Sequence, residues 1–218
     1  MSDGIRRIDL VRHGESTWNK VRRVQGNHDE VHLSELGRAQ AGLLGKRLRS
    51  MEFSRIFCSS AERAVETARI ALGEESPIEF IDELREISFG EWEGLLVSEV
   101  KERYPGELEL WFRSPSKIAI EGAEPFMEFH ERASRTVDGI IGSTEGDILI
   151  VAHGGIICAW LTHILGMSPD DIWLFSLPNT SITTVMIDFR PRLRLLGDVS
   201  HLDGKTLGFD GMPSPVEK

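Results

Sequence analysis

Two apolar runs that each end in histidine followed by glycine constrain the fold of this chain more than any other feature. They read IDLVRHG at residues 8–14 and ILIVAHGG at residues 148–155. Both are rich in aliphatic residues and both break at glycine, which predicts two buried strands, each followed by a turn into a helix. In an open α/β sheet, ligands bind at the carboxyl ends of the strands. We therefore expect His13 and His153 in one anion-binding site, beside the Arg12 guanidinium, with a histidine as nucleophile or proton carrier.

The segments around these runs alternate between strand-like and helix-like patterns. Further strands are predicted at 55–58, 78–81, 182–189 and 193–199, and helices at 36–48, 59–68, 124–143 and 156–165. In the second of these helices we expect a serine to cap the first turn and Glu62 to lie within it. This order of elements predicts an α/β three-layer sandwich with a mostly parallel central sheet.

One stretch departs from this alternation. Residues from about 88 to 123 are dense in aromatic residues, proline and charge, and we predict that they form a small, partly helical cap inserted over the sheet. Residues 1–218 are treated as a single domain that contains this insertion. The Gly/Pro-rich segment from about residue 206 is expected to be a loose tail.

Charge and hydropathy exclude several functional classes. The chain has 25 basic and 35 acidic residues, a net charge of −10, without the basic stripe of a general nucleic-acid binder. No apolar run approaches the ~18 residues that a membrane helix needs, and the amino terminus lacks the apolar stretch of a signal peptide. We therefore expect a cytoplasmic protein that binds neither nucleic acid nor membrane. Cys58 and Cys158 are too few for a disulfide framework and are expected to be buried thiols.

Four motifs, in order along the chain, resemble those of the histidine phosphatase superfamily, which includes the cofactor-dependent phosphoglycerate mutases. They are LVRHGESTWN at 10–19, SSAERAVETA at 59–68, LREISFGEWEG at 84–94 and VAHGG at 151–155. The ending GDVSHL at 197–202 is similar to that of the broad-specificity phosphatase and α-ribazole phosphatase branch. The resemblance covers nearly the whole chain, and it implies a phosphatase that hydrolyses small phosphate monoesters.

The residues in these motifs suit attack on a phosphate monoester. Such an ester carries about −1.5 to −2 charges at neutral pH, so a site must first neutralise its oxygens. Arg12 and Arg63 can do so, because a guanidinium donates two parallel hydrogen bonds to phosphate and stays charged. His153 can add a donor. Neutral His13 can then attack phosphorus and form a phosphohistidine, provided that its other ring nitrogen is held by an acceptor such as a carbonyl of the Gly14 turn.

Other roles follow from the resemblance alone. It implies that Glu86 is the general acid, and that Asn19 and Gly154 contact the phosphoryl group. Glu15, Gln25 and Gly26 are expected to line the mouth of the site as substrate-binding residues.

The spacing of potential metal ligands points to metal-independent chemistry. No pair of histidines, cysteines or carboxylates has the spacing of a zinc or iron site. We therefore expect no metal and no cofactor. The expected partner is a small-molecule phosphate ester, and a homodimer is an open possibility. Four aromatic residues suggest an apolar or ring-bearing leaving group, namely Trp92, Trp111, Phe126 and Phe129.

Three alternatives remain beside a general phosphatase. A phosphoglycerate mutase is disfavoured because the cap is shorter than in the mutases and because RRVQ at 22–25 departs from their loop. An α-ribazole phosphatase of cobalamin synthesis has the same motifs and is left open. An inactive scaffold is disfavoured because it would be expected to lack at least one of five residues that are all present, namely Arg12, His13, Arg63, Glu86 and His153.

Overall fold

A computed structural model describes residues 5–204 as one mixed six-stranded sheet with helices on both faces. The strands are β1 (Arg6–Arg12), β2 (Arg55–Ser59), β3 (Ile78–Ile81), β4 (Ile148–Ala152), β5 (Ile182–Ile187) and β6 (Pro191–Asp198), in the order β3-β2-β4-β1-β5-β6. Strands β1 to β4 pair in parallel, whereas β5 and β6 are antiparallel. The predicted mostly parallel α/β sandwich is confirmed, and the predicted tail from about residue 206 lies outside the described residues.

The helices lie between the strands as the periodicity predicts. They are α1 (Thr17–Lys20), α2 (Glu35–Leu48), α3 (Glu62–Leu72), α4 (Val97–Arg103), α5 (Pro105–Arg113), α6 (Phe126–Gly142) and α7 (Gly154–Ile164). The expected serine cap of α3 is wrong. Ala61 is the N-cap and makes no side-chain capping bond, although Glu62 does lie in the first turn. The reason is that Ser59 is still part of β2, where its hydroxyl contacts His153.

Alternate residues of the central strands face two separate layers of core. Leu10 and Ile150 belong to the larger cluster, which also contains the buried faces of α6 and α7. Val11 and Val151 belong to the smaller cluster with α2 and α3. Both faces of β4 are covered, and this strand is apolar throughout, as expected of a parallel strand buried on two sides. In β1 the apolar residues Ile8, Leu10 and Val11 are buried, and charged residues stand at both of its ends.

The cap lies over the carboxyl edge of the sheet and is partly helical. Its two ends meet, because Phe89 forms an antiparallel bridge with Ala123 and the Glu124 amide donates to the Ser88 carbonyl at 3.1 Å. Between them lie α4, α5 and short 3₁₀ turns at Gly90–Trp92 and Pro115–Lys117. Trp92 and Trp111 are buried and pack against Phe89, so the cap shares the larger core of the sheet.

Two further expectations concern the cysteines and membrane-spanning helices. Both cysteines are buried and free, as predicted. Within residues 5–204, no helix combines the length and the apolar composition needed to cross a bilayer.

Candidate active site

His13 and His153 lie side by side at the carboxyl edge of the sheet. The register of β1 and β4 places Arg12 opposite Ala152, and the His13 amide donates to the Ala152 carbonyl at 3.0 Å. The two imidazole centroids are 5.2 Å apart. Both side chains are buried. The structure thus brings together the two histidines that the sequence placed at strand ends.

The environment of His13 fixes a neutral imidazole with a defined tautomer. Its Nδ1 lies 2.7 Å from the Gly14 carbonyl oxygen. A carbonyl can only accept, so Nδ1 carries the hydrogen and Nε2 keeps its lone pair. Burial lowers the pKa of His13 well below its usual range, and the positive charges of Arg63 and Arg12 lower it further. The result is a neutral ring with an available nucleophilic nitrogen.

His153 is held through its other ring nitrogen, Nε2. Its Nε2 lies 2.8 Å from the Ser59 hydroxyl, which accepts the Ala61 amide at 3.3 Å. The hydroxyl can donate its hydrogen to His153 Nε2, and in that arrangement the ring hydrogen lies on Nδ1. That Nδ1 is buried and has no hydrogen-bond partner among the described residues. The pKa of His153 is lowered by burial and by Arg63, so the ring offers a neutral N–H donor suited to an anion.

Two buried guanidinium groups supply positive charge. Arg12 ends β1, and its Nη1 donates to the Leu177 carbonyl at 2.6 Å. Arg63, in the first turn of α3, donates to the carbonyls of Gly26 and His28 at 2.8 and 3.2 Å. Burial lowers the pKa of Arg63 to about 10, which still leaves it charged at neutral pH. Its Nε is buried and unpaired among the described residues, a further donor suited to an oxyanion.

The carboxyl group of Glu86 lies against the N-terminus of α7. Its Oε2 accepts the Gly155 amide at 2.9 Å, and its Oε1 accepts the Ile87 amide at 3.1 Å. A Cβ at position 155 would lie 2.2 Å from Glu86 Oε1, so this approach requires glycine. The carboxyl group is therefore held by two backbone donors at the same edge as the two histidines.

A cavity of about 870 Å³ joins these groups. Eight of the ten predicted site residues line it: Arg12, His13, Asn19, Gln25, Gly26, Arg63, Glu86 and Gly154. His153 lies behind this wall, in contact with Ser59.

Glu15 corrects the sequence prediction. It is 5 % exposed and does not line the cavity. Its Oε1 accepts the Ser34 hydroxyl at 2.6 Å, and its amide donates to Gln40 Oε1 at 2.9 Å. The expectation that Glu15 lines the mouth is wrong, because its carboxylate is used to hold the beginning of α2 against the loop after His13.

Aromatic residues line the part of the cavity formed by α5 and the segment around Trp173, called the far wall here. Of the four aromatic residues singled out from the sequence, Trp111 and Phe129 line the cavity, whereas Trp92 and Phe126 are packed in the core. Additional rings come from Phe112 on α5 and from Trp173 and Phe175, which the sequence did not indicate. Trp173 contacts Trp111 edge-on with 5.3 Å between ring centroids. Four further cations lie in the wall, at Arg22, Arg23, Lys101 and Arg113.

One group outside the cavity could hold a metal ion by geometry, and spacing did not predict it. Ligand atoms of His32, Glu62 and Glu66 lie within 4.8 Å of one another. Glu66 is already bound, because its Oε1 lies 2.6 Å from His32 Nδ1 and its Oε2 lies 2.9 Å from Arg38 Nη2. None of the three lines the cavity.

Three site residues were missed by sequence reasoning, namely Ser59, Gly155 and Asn179. The position of Ser59 at the end of β2, next to β4, could have indicated it, because parallel strands end at one edge. Asn179, in the segment before β5, donates to the His13 carbonyl at 3.0 Å. No local pattern indicates that contact, which joins residues 166 positions apart.

Comparison with known proteins agrees with the geometry. The profile of the histidine phosphatase superfamily (branch 1) matches residues 8–198. Phosphoserine phosphatase 1 of Hydrogenobacter thermophilus is 32% identical over 90% of this chain and 94% of its own length. A protein of Arabidopsis thaliana described as a probable 2-carboxy-D-arabinitol-1-phosphatase is 34% identical over 86% of this chain. The match spans only 39% of that plant protein.

A solved structure has the same fold. Bacillus stearothermophilus YhfR superposes with a TM-score of 0.83 at 35% identity, covering 89% of this chain and 98% of that one.

Proposed function

The chain belongs to branch 1 of the histidine phosphatase superfamily, and on that premise we propose that it hydrolyses phosphate monoesters through a phosphohistidine on His13 Nε2. That it is a phosphatase agrees with the names of its relatives. The observation that carries the mechanism is the 2.7 Å contact between His13 Nδ1 and the Gly14 carbonyl, which leaves the Nε2 lone pair available. The proposal assigns chemical roles to six residues, namely Arg12, His13, Asn19, Arg63, Glu86 and His153.

The first half-reaction forms the phosphoenzyme. Arg12 and Arg63 neutralise the phosphoryl oxygens, and His153 Nδ1–H and the Asn19 amide donate to them. His13 Nε2 then attacks phosphorus, a P–N bond forms, and the bond to the ester oxygen breaks. The leaving oxygen takes a proton from Glu86, whose carboxyl group lines the same cavity.

The second half-reaction releases phosphate. Glu86, now a carboxylate, removes a proton from water as that water attacks the phosphoryl group. The P–N bond breaks, inorganic phosphate leaves and neutral His13 is restored. Both displacements use the same pair of groups and need charge neutralisation from the arginines rather than from a metal ion, so we expect the activity to survive EDTA.

The aromatic far wall supports a leaving group with an apolar or ring-bearing part. Trp111, Phe112 and Trp173 lie on one side of a cavity of about 870 Å³, a volume typical of a drug-sized ligand. Burying a flat apolar group against these rings adds affinity in proportion to the area removed from water. Phosphoserine, a small polar ester, would leave that wall uncovered.

Phosphate release from a panel of esters tests this function. The panel comprises p-nitrophenyl phosphate, 1-naphthyl phosphate, phosphoserine, 3-phosphoglycerate and α-ribazole phosphate, each assayed in EDTA. We expect release in EDTA, lower KM for the aryl esters than for phosphoserine, and loss of release in H13A. The matched control is H163A, which removes an exposed histidine outside the cavity.

Two results would overturn parts of this proposal. Release by H13A equal to that of the parent would refute the phosphohistidine. Phosphoryl transfer to a second hydroxyl acid in preference to water would instead indicate the mutase alternative.

A further inference from the structure

Asn179 connects the nucleophile His13 to Asn19 on α1. It is 1 % exposed, in the segment before β5. Its Nδ2 donates to the His13 backbone carbonyl at 3.0 Å and to Asn19 Oδ1 at 3.4 Å. Both partners are acceptors, so the network assigns Nδ2 rather than Oδ1 to this side of the amide.

These contacts determine which way the Asn19 amide faces. Asn19 Oδ1 accepts from Asn179 and also from the Ser16 amide at 3.2 Å. A reversed Asn19 amide would place its NH₂ group against both donors. Asn19 lines the cavity, and with its oxygen occupied in this way Nδ2 is the group left to donate to a phosphoryl oxygen.

The backbone at Thr180, next to Asn179, is strained, and its contacts hold Asn179 and the His13 carbonyl in place. Thr180 has φ of 57°, in the left-handed region that a β-branched residue rarely adopts. In this conformation its amide donates to the His13 carbonyl at 3.2 Å and its hydroxyl donates to the Asn179 carbonyl at 2.7 Å. Strain of this kind persists where the surrounding contacts hold it, and it concentrates at functional sites.

We propose that Asn179 is a positioning residue that orients the Asn19 amide toward the phosphoryl group while holding the carbonyl of His13. The proposal rests on the proposed phosphatase function for the identity of the ligand. It does not require Asn179 to touch the substrate. Its consequence is that changes at positions 19 and 179 are coupled in their effect on phosphate binding.

A double-mutant cycle tests this coupling with inorganic phosphate as the probe, by isothermal titration calorimetry, and kcat and KM are measured beside it. In N179D a side chain of the same shape places a carboxylate oxygen against Asn19 Oδ1, and only the Ser16 amide still favours the original orientation of the Asn19 amide. We therefore expect the orientation that offers Nδ2 to phosphate to lose population. We expect N179D to weaken phosphate binding at least about tenfold in the parent, as for loss of a hydrogen bond to a charged group. In the N19A background the loss is at least about fivefold smaller, because the affected amide is already absent.

Two further variants make the result specific. N179L has the shape of asparagine without a donor or a charge. Its affinity for phosphate should lie between those of the parent and N179D. It also replaces N179D if that variant does not fold. S181A removes a buried hydroxyl from the same segment that has no hydrogen-bond partner among the described residues, and it should bind phosphate as the parent does.

The outcomes separate this proposal from the proposed function. An equal loss in the parent and in N19A would overturn the positioning role, since additive effects mean that Asn179 acts elsewhere. A parent that binds phosphate but hydrolyses no ester refutes the proposed function and leaves the coupling measurable. A parent that does not bind phosphate overturns both.

Discussion

At the scale of single residues, the two histidines at the carboxyl edge of the sheet differ in what holds their rings. Each follows a strand and precedes a glycine, yet His13 donates from Nδ1 to a carbonyl whereas His153 is contacted at Nε2 by the Ser59 hydroxyl. The first arrangement leaves the Nε2 lone pair of His13 available, and the second leaves Nδ1 of His153 without a protein partner among the described residues. The same amino acid can therefore serve as nucleophile at one strand end and as anion donor at the next.

Replacing Ser59 tests the His153 tautomer. In S59A nothing supports the Nδ1–H form, so the donor to the phosphoryl group is lost for part of the population. We expect about tenfold weaker inhibition by orthovanadate, and recovery in S59T, which keeps the hydroxyl. S60A is the matched control, because that hydroxyl binds Asp82 instead. Unchanged vanadate inhibition in S59A would show that His153 does not depend on Ser59.

Gly155 tests the position of Glu86. A methyl group there would lie 2.2 Å from Glu86 Oε1, so G155A must displace the carboxyl group. We expect kcat for an alkyl phosphate to fall about a hundredfold, as for loss of a general acid. The fall should be smaller for p-nitrophenyl phosphate, whose leaving group needs no proton. Equal losses on the two esters would argue that Glu86 is not the proton donor.

At the scale of elements, the carboxyl ends of the strands were predictable, whereas contacts between loops distant in sequence were not. Aliphatic runs ending in His-Gly located His13 and His153, because parallel neighbours must end at the same edge. Glu15 was misplaced, since nothing local shows that its carboxylate accepts the Ser34 hydroxyl 19 residues away. Asn179 was missed for the same reason, because its partners lie in another part of the sequence.

The packing of α2 against α3 depends on a glycine. A Cβ at Gly45 would lie 2.5 Å from the Ala71 carbonyl oxygen, whereas one at Gly139 on α6 would meet nothing within 4 Å. We expect G45A to lower the free energy of unfolding by about 1–3 kcal/mol through overpacking. G139A should raise it by about 0.5–1 kcal/mol, because alanine favours the helix. Urea unfolding of both variants checks this, and a stable G45A would mean that the helices can separate without cost.

At the scale of the whole molecule, the buried histidines make folding depend on pH. Burial lowers the pKa of both His13 and His153 well below the value of about 6.5 expected in the unfolded chain. Above about pH 6.5 both states are neutral at these positions. Below it the unfolded chain binds protons that the folded protein does not, so stability falls as pH falls.

This linkage has a measurable slope. Each buried neutral histidine contributes up to about 1.4 kcal/mol per pH unit below about pH 6.5. Urea unfolding of the parent and H153Q over this range should therefore give a shallower decline in the variant. Parallel curves would show that His153 takes up a proton in the folded state.

The architecture as a whole was the most predictable level, and the substrate the least. Alternating strand and helix patterns were enough to predict the sandwich. The aromatic lining was predicted only in part, because Trp111 lines the cavity whereas Trp92 is buried in the core. Trp173 completes the wall from a segment distant in sequence, and only the folded chain brings it to 5.3 Å from Trp111.

The central claim is a phosphoryl group on His13 Nε2, and trapping the phosphoenzyme tests it most directly. The enzyme is quenched in alkali during turnover of p-nitrophenyl phosphate, digested and sequenced by mass spectrometry. We predict one nitrogen-linked phosphoryl group at His13 in the parent and none in H13A. G155A should retain more of it on the same ester, because the displaced Glu86 also activates the water that releases phosphate. A phosphoryl group on any other residue, or turnover without a trapped intermediate under conditions that resolve the first turnover, would contradict the account.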